Sequence, residues 1–352
     1  FTIGSTPQCI LGNKFNYVSS TTIKSGTYTL NWQYGDGLTA GNVNSTSHNY
    51  SNVQNYNVRL FSTSNFGCLD TVTKQIKTLP MPNAGFTYNY DQKCLKGNDF
   101  QFSTNSTVSN GTPMNHNWFY GDNDSTINST FGQHTYQTDG PFVVRLISST
   151  NIGGCKDTLN KTVNVFPMPL ASFTIDNNKQ CFKGNQYGFA STSSVSSGTV
   201  DFNDWNLGDN STSAISTPSK SYSKVDSFRV SLIVTTNYGC IDSTAKKVYV
   251  FPMPVAAFNI APPSSCFKKN VFNIVNKSSI TGGVISSYSF QYGNNDSSNL
   301  IAPLPYSYPV NGDYIVSLKV ITDKGCWDTI SKPITVNPNP VLDFTVDPVC
   351  LK

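Results

Sequence analysis

The sequence predicts an all-β protein made of tandem Greek-key β-sandwiches, about seven strands each. Three observations predict it. One stretch in which apolar and polar residues alternate before a glycine turn is written four times, a pair of cysteines recurs alongside it, and no segment carries the apolar period of a helix. The stretch reads Asn31-Trp32-Gln33-Tyr34-Gly35-Asp36-Gly37, then Asn117-Trp118-Phe119-Tyr120-Gly121-Asp122-Asn123, then Asp204-Trp205-Asn206-Leu207-Gly208-Asp209-Asn210. A weaker copy, Ser289-Phe290-Gln291-Tyr292-Gly293-Asn294-Asn295, follows. Period-2 alternation running into a turn is a half-buried strand, with the large ring (Trp32, Trp118, Trp205, Phe290) filling the space between two sheets.

Taken in order, each repeat opens on a short strand begun by Phe1, Phe86, Phe173, Phe258 or Phe344. A loop carries the first cysteine, as in Cys94-Leu95-Lys96-Gly97-Asn98, and a second strand places Phe100 and Phe102, or Phe272 and Ile274, on one face. A Ser/Thr/Gly-rich surface loop such as residues 191–199 leads to the Trp strand and its turn. A variable polar segment ends at Tyr50, Tyr136, Tyr222 or Tyr308. The strongest strand follows (Tyr56-Asn57-Val58-Arg59-Leu60 and its counterparts), then a Gly-Cys turn and a last strand through Val72 to Ile76 or Val248 to Val250. The repeats so defined span residues 1–79, 83–166, 170–251 and 255–337, and residues 341–352 begin a fifth. Their joints are Pro80-Met81-Pro82, Pro167-Met168-Pro169, Pro252-Met253-Pro254 and Pro338-Asn339-Pro340. Pro-x-Pro favours extended polyproline II, so the expectation is a rod of sandwiches held end to end.

Composition bounds the function. Of 352 residues only 12% are charged, and the net charge of +4 is spread without a Lys/Arg run, which argues against nucleic acid and anionic membrane as partners. No apolar run approaches the roughly 20 residues of a membrane span, so no direct membrane insertion is expected. No signal peptide opens the chain, and Phe1 reads as the middle of something longer.

Nine cysteines fall as Cys9/Cys68, Cys94/Cys155, Cys181/Cys240 and Cys266/Cys326, with Cys350 left over. The separations within these pairs are 59, 61, 59 and 60 residues. No Cys-x-x-Cys occurs and the three histidines do not track the cysteines, which speaks against zinc. Constant spacing predicts one disulfide inside each repeat, formed in an oxidising compartment and stabilising each unit by about 4 kcal/mol. Cys350 would then open a fifth bridge with a partner beyond Lys352.

Trp-x-Tyr/Leu-Gly-Asp-Gly/Asn, then His-x-Tyr, then Gly-x-Tyr-x-Val-x-Leu together resemble the polycystic-kidney-disease (PKD) domain, whose fold is an Ig-like sandwich. The resemblance covers all four repeats, and repeat four departs most, with Phe290 for Trp and Asn294 for Asp, which predicts a looser turn there. The cysteine pair and the Pro-x-Pro joints resemble tandem PKD arrays on exported proteins of Bacteroidota-type bacteria. That resemblance implies an extracellular, cell-surface protein.

Candidate sites are few. Asp36, Asp122 and Asp209 sit at the Gly-Asp turns, and Asp124 beside Asp122 makes the second repeat the best calcium candidate. The structural reading of each lone Asp is that it caps its own turn. His48 and His134 precede the repeat tyrosine by two residues, where the other copies carry Lys220 and Tyr306, so a turn or packing role fits them better than a catalytic one. Exposed aromatics such as Tyr88, Tyr90 and Trp327 are of a kind that stacks sugars, but their positions do not recur between copies. No nucleophile–base constellation maps to one place in the repeat, so no catalysis and no cofactor are expected. Asp70-Thr71-Val72, Asp157-Thr158-Leu159, Asp242-Ser243-Thr244 and Asp328-Thr329-Ile330 follow the second cysteines, and Asp124-Ser125-Thr126 adds a fifth copy elsewhere. These resemble the Asp-Ser/Thr-apolar acceptor of O-glycosylation in the same bacteria. Asn-x-Ser/Thr sites at Asn44, Asn105 and Asn276 are expected by chance in so Asn- and Ser-rich a chain. Two functions remain: a structural shaft of an adhesin or surface filament, whose partners are its own neighbouring repeats, like filaments or extracellular polymers; or accessory carbohydrate-binding spacers of a secreted hydrolase.

Overall fold

Each sandwich forms because the alternating segments have one apolar face to bury and the polar turns between them are short enough to fold the chain back on itself. The computed structural model describes residues 1–109 and 111–346. In the first repeat the strands are β1 (Thr2–Ile3), β2 (Gln8–Cys9), β3 (Phe15–Val18), β4 (Tyr28–Gln33), β5 (Thr39–Gly41), β6 (Ser45–His48), β7 (Asn55–Ser64) and β8 (Leu69–Leu79). One sheet orders β1-β3-β6, and the facing sheet orders β2-β8-β7-β4-β5. All pairings are antiparallel except β2 with β8, where Gln8 and Cys9 run parallel to Thr78 and Leu79. Along β7 the side chains of Tyr56, Val58 and Leu60 point into the core while Asn57 and Arg59 face out. Trp32 is completely buried between the sheets, against Phe1 and Tyr17.

The same five-stranded sheet recurs in every repeat, around Met114–Phe119, Val200–Asn206 and Ile285–Gln291 as the Trp-strand counterparts. Four separate apolar cores result, one per repeat, centred on Trp32, Trp118, Trp205 and Phe290. The opposing sheet shrinks to two strands in repeat four, Phe258–Ala261 and Asn273–Asn276, with Phe272 bridged singly to Tyr306. The only helical turn among the described residues is the short 3-10 turn Phe267–Lys269. Residues 1–168 and 169–352 make two compact units of two repeats each. Residues 341–346, the described start of the fifth repeat, carry no strand, and Cys350 lies outside the described residues.

The cysteine pairing differs from the expectation of one bridge inside each repeat. Cys9 is bonded to Cys155 and Cys181 to Cys326, so the first cysteine of one repeat joins the second cysteine of the next. Cys68 and Cys266 are free and exposed, while Cys94 and Cys240 are disulfide-bonded as well. The strand geometry explains why Cys9–Cys68 does not form. Cys9 pairs beside Leu79 at the far end of β8, whereas Cys68 precedes Leu69 at its near end. An eleven-residue strand is about 35 Å long, and a disulfide needs Cα atoms roughly 4.4–6.8 Å apart. The two cysteines of a repeat therefore lie at opposite ends of the sandwich.

Candidate functional site

The contact between repeats one and two is built from the end of β8 and the Gly-Cys hairpin of the following repeat. Leu79 is buried, and a Cβ added to Gly153 would come within 2.1 Å of its Cδ1, so the hairpin is glycine where the leucine seats. Cys9 lies beside the same hairpin, with its Sγ 3.9 Å from the Gly153 carbonyl oxygen. Cys155 is 1% exposed, against the open position of the unbonded Cys68. Repeats three and four repeat the arrangement: Phe251 and Pro252 border a cleft with Ile280, Val284 and Lys324, and Cys326 is fully buried.

Beyond the joint the chain is tied at once into the repeat it enters. Asn83 and Pro82 pair with Thr107 and Val108, and the Leu170–Ser194 and Val255–Ser279 bridges occupy the same place later. Two residues after Cys155, Cys240 and Cys326 an aspartate accepts from the backbone that leaves the joint. The Ala84, Ala171 and Ala256 N–H groups donate to Asp157, Asp242 and Asp328 Oδ2 at 2.7, 2.8 and 2.9 Å. The aspartates thus do more than finish a turn: they fasten joint to hairpin. The hydroxyl residues that follow, Thr71, Thr158, Ser243 and Thr329, are all exposed, as is Ser125.

The Gly-Asp turns form a second recurring cluster. Gly121 has φ of 90°, and a Cβ there would meet the Val143 carbonyl at 2.9 Å, with the same closeness at Gly35, Gly208 and Gly293. Glycine is required on both counts. Asp122 Oδ1 caps the turn at the Asp124 N–H, and its Oδ2 meets His134 Nε2 at 2.6 Å. Asp124 Oδ2 faces the other ring nitrogen of His134 at 3.5 Å. The calcium candidates Asp122 and Asp124 therefore flank an imidazole, which competes for the same oxygens.

Asp36 meets His48 at 2.6 Å and Asp209 meets Lys220 at 2.7 Å, while in repeat four Asn294 and Asp296 share the Tyr306 hydroxyl. Burial alone would raise the carboxyls of Asp36 and Asp209, but the His48 and Lys220 hydrogen bonds, with backbone N–H donors, outweigh it and hold both below the ordinary value. The partner also stacks: His48 on Tyr34, His134 on Tyr120 and Tyr306 on Tyr292, with ring centroids 4.1, 4.3 and 3.9 Å apart. The repeat-four turn is closed by this substitute set rather than left loose.

The repeat tyrosines are clamped from two sides. Tyr136 Oη donates to the Tyr120 carbonyl at 2.8 Å, and Tyr50, Tyr222 and Tyr308 make the matching bonds to Tyr34, Leu207 and Tyr292. The backbone of each is held by an asparagine that the reading of the sequence passed over: Asn13, Asn98, Asn185 and Asn270. Asn98 Oδ1 accepts from the Tyr136 N–H at 2.7 Å, and its Nδ2 donates to the Tyr136 and Leu95 carbonyls. All four stand four residues after the first cysteine, a periodicity visible in the sequence. Tyr88 packs on the core of repeat two, whereas Tyr90 and Trp327 are about half exposed and covered by Lys93 and Lys319.

A family model described as PKD domain matches residues 80–165 and 168–250. No curated protein matches the chain. Among solved structures, the PKD1 domain of the Vibrio cholerae metalloprotease PrtV is 30% identical over 24% of this chain and 98% of that one, with a TM-score of 0.22. The PKD1 domain of Vibrio anguillarum Epp is 25% identical over 24% and 94%, also at 0.22. The fibronectin(III)-like modules of Clostridium thermocellum CbhA are 15% identical over 50% and 100%, at 0.29.

Proposed function

We propose that the chain, whose residues 80–165 and 168–250 match the PKD domain model, is a non-catalytic structural shaft of an extracellular adhesin or surface filament. The observation that supports this reading is the bond of Cys9 to Cys155 and of Cys181 to Cys326. A freely articulated spacer gains nothing from a covalent tie between successive repeats, whereas a shaft that must keep its repeats in register does. Disulfides persist in oxidising compartments, which fits an exterior location. No helix among the described residues is long and apolar enough to cross a membrane. Partners on this reading are neighbouring repeats, like filaments and extracellular polymers, and the source is a Bacteroidota-type surface.

The test is made on cells of the source organism. Surface attachment under flow is compared between the native chain and the Cys9→Ser/Cys181→Ser variant, with surface amount measured by antibody. The reading expects detachment at lower shear at equal surface amount. Unchanged attachment by cells lacking the protein altogether, or protein found only inside the cell, would overturn it.

A further inference from the structure

We infer that the staggered bridges route axial tension around the folded cores, so that the array resists extension even where its sandwiches are individually weak. The inference goes beyond the shaft reading, because it follows from covalent wiring alone. Cys9 and Cys155 are 146 residues apart in sequence but adjacent through sulfur. A pull arriving at Cys9 therefore re-enters the backbone at Cys155, and residues 10–154 drop out of the loaded path. Cys181 and Cys326, separated by 145 residues, remove the next stretch in the same way.

Between the bridges only the 26-residue step from Cys155 to Cys181 stays in series. Fully drawn out it reaches about 90 Å, against roughly 1,080 Å for the unbridged span from Cys9 to Cys326. Much of that step is strand within one unit or the other. Its first part is the strand Lys156–Phe166, and a strand stands near its maximal rise of about 3.3 Å per residue. The Pro167-Met168-Pro169 joint adds two residues with φ fixed by their rings, and Phe173–Ile175 and Lys179–Cys181 are again strands. Bridges inside single repeats would staple each sandwich but leave every joint in the loaded path, so it is the stagger that gives this behaviour.

The experiment holds the 352-residue chain by its two termini in an optical trap, with free thiols alkylated and the Cys9–Cys155 and Cys181–Cys326 bridges verified by peptide mapping. The oxidised chain is expected to show no unfolding step longer than about 9 nm, and the reduced chain four steps of about 25 nm each. The Cys9→Ser/Cys155→Ser variant is expected to regain at least one long step without reductant. Steps of about 25 nm in the oxidised chain with both bridges mapped would overturn the inference. So would mapping that finds Cys9 bonded to Cys68. Either result leaves the question of surface attachment to be decided separately by the flow assay.

Discussion

The backbone N–H of Ala84, the second residue past a joint, donates to the carboxylate of Asp157, the second residue past a cysteine that is itself bonded to the preceding repeat. Joint, hairpin and bridge are thereby one structure in the first unit, and Ala256 with Asp328 and Cys326 repeats it in the second.

That relationship predicts the effect of losing the carboxylate. Asp157→Ala removes a charge-assisted bond to a part-buried N–H and should cost about 1.5–3 kcal/mol in repeat two. Urea denaturation of the oxidised chain measures it, and Asp157→Asn, which keeps an acceptor, should recover part of the loss. Asp70→Ala should cost less, because Asp70 bonds only the N–H of its neighbour Thr71 among the described residues.

Acid should weaken the turns of repeats one and three. The Asp36 and Asp209 carboxyls lie below their ordinary value of 3.8 in the folded chain. Their contribution is whole above that value and fades as pH falls through the lower folded value, since the unfolded chain binds the proton first. Asp36→Asn and Asp209→Asn should flatten the fall of stability below about pH 4 and leave little pH dependence from these sites. Denaturation midpoints between pH 5 and 2 test this, and equal slopes in variant and parent would refute it.

The core anchors should be local. Trp118→Ala is expected to cost about 3–5 kcal/mol, the range for a large buried aromatic. It also orphans the Ser129 carbonyl, to which Trp118 Nε1 donates at 2.9 Å. Hydrogen exchange should rise across residues 83–166 while the core strands of repeat three keep their protection. Repeat four supplies a natural comparison: Phe290 has no donor, and Asn276 Nδ2 reaches the matching Ile301 carbonyl at 3.2 Å instead.

Tyr136→Phe tests the clamp. It leaves the core ring in place but strips the bond to the Tyr120 carbonyl, and an unsatisfied buried acceptor should cost about 1–3 kcal/mol. A change smaller than about 0.5 kcal/mol by chemical denaturation would show that the bond is idle.

O-glycosylation at Thr71, Thr158, Ser243, Thr329 and Ser125 remains a proposal, and the exposure of all five hydroxyl residues fits it. Peptide mass spectrometry of protein from its native source should find hexose-bearing peptides at these positions. Unmodified peptides throughout would leave the fastening of the joint as the whole explanation for three of the aspartates.

The sandwich was legible in the sequence because its determinants are local. A Trp strand, a turn needing left-handed backbone at Gly121 and Asn123, and a strand alternating Val and Leu each announce themselves within ten residues. The bridge partners were not legible. In a periodic chain the separation of first and second cysteine is constant whichever repeat the bond reaches, so regular spacing cannot distinguish Cys9–Cys68 from Cys9–Cys155. Only the length of β8, which carries the two cysteines to opposite ends, decides between them. The pairing of Asp36 with His48 was hidden differently. Read one column at a time, His, His, Lys and Tyr look arbitrary; read with the residue each one meets, the four copies solve one problem in three chemistries.

The stagger also bears on how such a gene can change length. A bond from the first cysteine of one repeat to the second of the next is indifferent to which repeats those are. Recombination that adds or removes a whole copy between equivalent positions leaves a bridge such as Cys9–Cys155 with an equivalent partner at the same distance. A slip of part of a copy strands cysteines on both sides of the break and exposes reactive thiols in an oxidising medium. The wiring that ties neighbours together would thus also act as a proofreading frame, tolerating growth and shrinkage in steps of about 85 residues and penalising any other.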